Sequence, residues 1–449
     1  MTLARRFTKR SRLALTISIF ASFALLAALL FPALAATNRN DRVDFADGKS
    51  TLTKNAFVKD DYVEFGTQST TATTSPATTN PVTTSTNPTS LPTGKFYVVG
   101  KQIVDPDGNI FLPMGANVAV RQSPNLEKGF VFNYFGTANG QSEKVKAWGW
   151  NTIRVNAACD LTSNPSLAQT YAGLDELIKE YTSKKIVVLI DCHQGGVTVT
   201  DVDFINANVQ KVVSFFDALA KNYNNNPYVW FNTANEPSAT NNVAQWTALQ
   251  NSLYARIRQY APNNIFVADL PAGGNAIQDL TTGNVHQNLG SGKCNLVYGW
   301  HSYGYIDSYD TNVATNEAKH KATIDALVAK NIPVIIGEFG DPLKQDGTPL
   351  HLGDPSPGAV AGNPDINRIG ANAVMKYAPA AGYGLLWWHA TGDSNSFIVY
   401  SLTKTMTSPW DAINNQSILS PAGQTFWNIT HQNRATVKFT GNLSESNCG

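Results

Sequence analysis

Charge is scarce in this chain. Only 15% of its 449 residues are Asp, Glu, Lys or Arg, and they nearly cancel, to a formal net charge of +1. No basic stripe stands out, so the electrostatic footprint that nucleic acid demands is missing. Cysteine is scarcer still. Cys159, Cys192, Cys294 and Cys448 show no CxxC spacing, which excludes a zinc or dithiol motif. An exported protein could form up to two disulfides from the four. Cys192 falls inside an expected core strand and reads as a buried thiol. A Gly-rich phosphate turn after an early strand is also lacking, which argues against a doubly wound nucleotide-binding sheet. No cofactor and no metal are expected.

Aromatic residues are plentiful: nine Trp, sixteen Tyr and twenty-one Phe. They suit a packed core and equally suit stacking faces for sugar rings. The N-terminus carries Arg5, Arg6, Lys9, Arg10 and Arg12, then an apolar stretch from Leu13 to Phe31, then Ala33-Leu34-Ala35. That order describes a secretory signal over residues 1–35. The stretch is also nearly long enough to span a bilayer, so an uncleaved anchor that tethers the protein to a membrane is the alternative. Both place the remainder outside the cytoplasm, secreted or held at the cell surface. Residues 36–94 read as a polar stalk followed by a Ser/Thr/Pro-rich linker, too poor in apolar surface to offset chain entropy. A small strand pair within residues 36–66 is the exception left open.

From Lys95 to the C-terminus, strand-like apolar runs alternate with amphipathic ones. The strands are expected at Ile110–Val118, Thr152–Ala157, Lys185–His193, Tyr228–Glu236, Ile265–Leu270, Leu296–Tyr303, Pro333–Phe339 and Gly384–His389. Helical spacing marks Tyr171–Thr182, Val209–Tyr223, Trp246–Tyr260, Ala318–Lys330 and Ile366–Tyr377. Eight alternations predict an α/β fold, a (β/α)8 TIM barrel, over residues 95–449.

In such a barrel, reactive groups gather where strands end. Polar residues fall there repeatedly: Arg154 and Asn156, Asp191 to His193, Asn235-Glu236, His301 to Tyr303, Glu338, and Trp388-His389. Glu236 and Glu338 stand out, because both terminate apolar runs and a buried carboxylate is costly without a partner or a task. Two carboxylates facing each other across a barrel mouth are what glycoside hydrolysis needs. One protonates the departing oxygen, and the other attacks carbon or activates water. By alternation, Asp191 shares the inward face of its strand with His193 and reads as a hydrogen-bond partner. Trp230, Trp300 and Trp387 alternate the other way and read as packing against the outer helices, as do Trp148 and Trp150.

From Lys95 to Asn428 the chain resembles glycoside hydrolase family 5, in the large retaining clan of (β/α)8 glycosidases. The resemblance rests on Val104-Asp105-Pro106-Asp107-Gly108, Leu112-Pro113-Met114-Gly115-Ala116-Asn117 and Gly149-Trp150-Asn151-Thr152-Ile153-Arg154-Val155. Asn235-Glu236-Pro237 and Gly337-Glu338-Phe339-Gly340 complete it. It implies that Glu236 is the acid/base and Glu338 the nucleophile, with Arg154 pairing the nucleophile. Asn235 matches the residue on the sugar 2-hydroxyl, His193 and His301 the two strand-end histidines, Tyr303 the tyrosine near the nucleophile, and Trp388 the aromatic platform. The implied activity is that of a secreted, monomeric, retaining endo-β-1,4-glycanase acting on β-linked polysaccharide, with cellulose-type glucan slightly ahead of mannan. The loops after the third, seventh and eighth strands depart from the familiar cellulases and mannanases. Two rivals belong to other classes. One is a catalytically silent glycan-binding barrel; the other is a metal-dependent hydrolase using His193, His301 and Asp191.

Overall fold

The computed structural model describes most of residues 94–441 and two short strands at Val58–Lys59 and Tyr62–Val63. The longer breaks are at 121–140, 158–166, 193–208, 238–242, 304–311 and 352–363. The expected signal and most of the stalk and linker lie outside the described residues. The two short strands pair antiparallel, Val58 opposite Val63, the strand pair that the sequence left open. Among the described residues no helix is long and apolar enough to cross a membrane.

Eight strands close into a barrel: β1 Met114–Val120, β2 Thr152–Ala157, β3 Val187–Cys192, β4 Val229–Asn232, β5 Phe266–Asp269, β6 Leu296–His301, β7 Val334–Phe339 and β8 Gly384–Trp387. Each pairs in parallel with the next and β8 pairs with β1. The helices around it are α1 Gln141–Ala147, α2 Leu167–Ser183, α3 Val209–Tyr223, α4 Val243–Arg258, α5 Ile277–Thr281, α6 Val313–Ala329, α7 Pro364–Ala381 and α8 Pro421–Thr430. This is the expected (β/α)8 architecture. In α3, Val212, Phe215, Phe216 and Leu219 are all buried against the barrel, as their 3.6-residue spacing requires.

The expected first strand is two elements. Pro113 has no N–H to give a ladder, and the run divides there. Ile110–Phe111 joins Tyr97–Val99 and Gln102–Val104 in a three-stranded antiparallel sheet, and only Met114 onward enters the barrel. That small sheet closes the N-terminal end. Phe96 and Phe111 meet the Trp230 ring edge-on at 5.1 and 5.9 Å. Around them Val187, Leu189, Val267, Val297, Ile335 and Leu386 fill the lower barrel.

Trp230 therefore points into the barrel, which corrects its expected place against the helices. Its strand ends at Asn232, so alternation counted back from Asn235, which lies beyond the strand, puts Trp230 on the wrong face. Trp300 and Trp387 do sit in the shell between strands and helices. Trp148 and Trp150 pack there too, within 5.1 Å of each other. Cys192 corrects a second expectation: at the end of β3 it is disulfide-bonded, as is Cys294, so neither is a free thiol.

Candidate active site

Above the apolar floor, the inward positions turn polar. Arg154 on β2 is completely buried and sits at their centre. Its Nε donates to Asn232 Oδ1 at 2.9 Å, and Nη1 donates to Asn117 Oδ1 at 2.8 Å and Glu338 Oε1 at 2.7 Å. Nη2 donates to Asn235 Oδ1 at 2.8 Å and Asp269 Oδ2 at 3.0 Å, and lies 3.2 Å from Asp191 Oδ2. The planar guanidinium with its five fixed donors suits this radial task, which an ammonium could not fill. Burial works against its charge, but Asp191, Asp269 and Glu338 outweigh burial and raise its pKa further.

Glu338 reaches the centre through an irregularity in β7. The β6–β7 pairing runs Trp300 opposite Ile336 and then His301 opposite Glu338, skipping Gly337. Strict alternation from Ile335 would aim Glu338 outward; the extra residue turns it in, a use of β-bulges common beside active sites. Glu338 Oε2 accepts from the Tyr303 hydroxyl at 3.0 Å, so both its oxygens are engaged.

Glu236 is placed differently. It stands beyond the end of β4, on a turn, with φ 46°, a left-handed conformation uncommon for a residue with a Cβ. Asn235 N donates to Cys192 O at 3.3 Å, tying the turn to β3. The Glu236 side chain is 27% exposed against 4% for Glu338. Glu236 Oε1 lies 3.0 Å from His301 Nδ1. One carboxylate oxygen from each glutamate and a ring nitrogen of His301 all fall within 4.8 Å of one another.

His301, at the end of β6, is fully buried between acids. Its Nδ1 is also 3.6 Å from Glu338 Oε2, and its Nε2 is 3.2 Å from Asp269 Oδ2. Burial alone would push its pKa down, but Glu338, Asp269 and Glu236 outweigh that and carry it up to about 10. Burial would likewise raise Asp269, and His301 and Arg154 reverse it, holding the carboxyl below its ordinary value. The Trp388 side chain, just beyond β8, is 8% exposed.

The structure thus brings together Arg154, Asn235, Glu236, His301, Tyr303 and Glu338. Trp388 stands at the neighbouring strand end, held by its N–H to Phe339 O at 2.8 Å. His193 lies outside the described residues. Asp191 accepts from Asn156 Nδ2 at 2.8 Å and faces Arg154; that cation already balances the carboxylate a metal-dependent reading would need. Sequence reasoning missed Asn117, Asn232 and Asp269 as parts of the cluster. Asp269 could have been found, since it ends an apolar strand much as Glu338 does.

The comparisons with known proteins bear on the family and the fold. Residues 113–394 match the family model described as cellulase (glycosyl hydrolase family 5). Over 306 residues the chain is 24% identical to a mannan endo-1,4-beta-mannosidase of Streptomyces lividans, covering 67% of each chain. It is 24% identical to the endoglucanase MaCel5A of a Microbulbifer species over 55% of this chain and 44% of that one. The match thus spans under half to two thirds of these relatives' length. Among solved structures, the catalytic domain of a mannanase from Streptomyces sp. SirexAA-E superposes with a TM-score of 0.53 at 18% identity, covering 79% of this chain and 97% of that one. The catalytic domain of Thermobifida fusca endoglucanase Cel5A does so with a TM-score of 0.52 at 17% identity, over 76% and 98%. At such identities the superpositions speak for the fold alone, and the family model carries the assignment. A closed parallel barrel with two carboxylates at its mouth, matched by that model over most of its length, makes this chain a member of glycoside hydrolase family 5.

Proposed function

We propose that the protein is an exported, retaining endo-β-1,4-glycanase that cleaves a glucan or mannan by double displacement. The observation carrying this reading is the closeness of the two glutamates, with oxygens within 4.8 Å. Retaining glycosidases need roughly 5–5.5 Å between carboxyl groups, whereas inverting ones need about 6.5–9.5 Å to admit a water. In this reading Glu338 is the nucleophile. Arg154 at 2.7 Å favours its ionised form, and Arg154 and Tyr303 together fix its direction of attack. Glu236, more open to the cleft, gives its proton to the departing glycosidic oxygen. Once Glu338 is held as a glycosyl ester its charge is gone, and Glu236 takes a proton from the incoming water. The Asn235 side-chain oxygen is taken by Arg154, which leaves the amide N–H for the sugar 2-hydroxyl.

Glucose and mannose units differ in the configuration of that 2-hydroxyl, so the choice between them is made beside Asn235. Relatives named for mannan and for glucan hydrolysis support both. The deciding assay runs purified protein on carboxymethyl cellulose, mannan, xylan and β-1,3-glucan, with the anomer of the first product read by NMR. Cleavage of mannan or cellulose with the β-anomer appearing first is expected. No activity on any β-linked glycan would sink the reading, and an α-anomer would refute double displacement. Export rests on the charge and apolar pattern of residues 1–35; N-terminal sequencing of protein recovered outside the cell tests it.

A further inference from the structure

Asp269 is a buried carboxylate that the two-glutamate mechanism leaves without a task. It is fully buried at the end of β5. Its Oδ1 accepts from Asn232 Nδ2 at 3.1 Å, and its Oδ2 lies 3.0 Å from Arg154 Nη2 and 3.2 Å from His301 Nε2. The Glu236 N–H points at the same Oδ2, 3.4 Å away. The imidazole therefore stands between two carboxyl groups, with Nδ1 paired to Glu236 and the buried Nε2, which makes no other hydrogen bond, 3.2 Å from Asp269 Oδ2.

Glycines make room for this arrangement. A Cβ at Gly299 would meet Asp269 Oδ1 at 2.1 Å; one at Gly274 would meet His301 Cγ at 2.6 Å; one at Gly337 would meet His301 Nε2 at 3.2 Å. The ring lies between the turn after β5, which carries Gly274, and Gly337 on β7. The charged groups facing it are Asp269 from β5, Glu236 from the turn after β4 and Glu338 from β7, with Arg154 from β2 behind the carboxylates.

We propose that Asp269 is a positioning residue: it holds a hydrogen on His301 Nε2, so that Nδ1 and the Glu236 carboxyl share one transferable proton. The general acid is then a pair rather than a single glutamate, which deepens the function proposed above and rests on it. When the pair acts, its proton passes to the glycosidic oxygen as the C1–O bond breaks with its electrons on that oxygen. A Glu338 oxygen forms the new bond to C1 in the same step. In the second half, water returns a proton to the pair as its oxygen displaces Glu338. Asp269 keeps its charge throughout. A carboxylate fixing an imidazole by its far nitrogen is a device that other hydrolases use with a serine.

Two measurements test this. Proton–nitrogen correlation NMR of His301 in the unmodified protein should find Nε2 protonated at every pH where the fold persists, whether Nδ1 carries a proton or not. A bare Nε2 overturns the proposal, and this readout needs neither activity nor a variant. In Asp269→Asn the attraction for the shared proton weakens, so the alkaline limb of kcat/KM should move to lower pH by about one unit, roughly a tenfold loss on that limb. The loss should be much smaller on an activated aryl glycoside whose leaving group needs no proton. Asp269→Glu should move the limb part of the way back. A folded Asp269→Asn protein with an unmoved limb overturns the proposal. If no glycan is cleaved at all, the NMR result still decides Asp269, and only the proposed activity falls.

Discussion

The lower and upper halves of the barrel interior are built by the same strands, and one inward step separates them. Leu189 is followed on its face by Asp191, Trp230 by Asn232, Val267 by Asp269, and Ile335 by Gly337 with Glu338 turned in beside it. The lower layer is mainly apolar, closed beneath by Phe96 and Phe111. The upper layer holds Arg154, His301 and four carboxyl groups within ion-pair reach. The difference teaches a division of labour. The dry floor excludes water from below, which strengthens every charge interaction above it. The charged layer in turn is held to its geometry by Arg154, since buried charges persist only when paired.

Breaking one layer should leave a different mark from breaking the other. The largest effect belongs to Glu338→Gln, which should slow turnover by upwards of about 10⁴-fold, as loss of a nucleophile does, with thermal stability little changed. A near wild-type rate on the natural glycan would remove Glu338 as nucleophile. Arg154→Met comes next. It strands Asp191, Asp269 and Glu338 without their cation, and breaking a buried pair costs about 3–5 kcal/mol. Urea unfolding should show that loss together with lost activity; a stable variant would mean the carboxylates find protons or other partners. Trp230→Ala attacks the floor instead, at a comparable ~3–5 kcal/mol from the cavity left behind, but the activity of the molecules still folded at low temperature should persist. If activity fell without a stability loss, the two layers would not be separable.

The smallest effect is the pH profile of stability. His301 has its folded pKa raised to about 10, so its contribution is complete below its unfolded value and is lost as pH rises towards about 10. Asp269 is depressed, so its contribution is present above its unfolded value and is lost as pH falls through the folded one. Melting temperature should therefore hold a plateau between the two unfolded values, about pH 4 to 6.5, and fall on both sides. His301→Gln should remove the alkaline arm, and a melting curve that keeps it would assign the arm to another group.

Much of this was readable in the residues because it follows short-range rules. Alternating apolar periods predicted eight strands and the long helices between them, and strand-end polarity marked Glu236, Glu338, Arg154 and His301. The errors came where a boundary set the parity. Alternation counted from Asn235 puts Trp230 on the wrong face, because β4 stops at Asn232 and Asn235 lies in the turn beyond it. Cys192 read as a thiol because disulfide formation depends on a partner distant in the chain. Helices α1, α5 and α8 were not anticipated; α1 and α5 span only 7 and 5 residues, too few to establish a period.

By itself the sequence determined the barrel and its two carboxylates, because a period of apolar residues and a charge at its end are local properties. Only the tertiary structure decided how those charges are shared. The bulge at Gly337 that turns Glu338 inward, and the contacts that join Asp269 through His301 to Glu236, arise between strands. Inter-strand register is set by closing the whole barrel, and no single strand carries it.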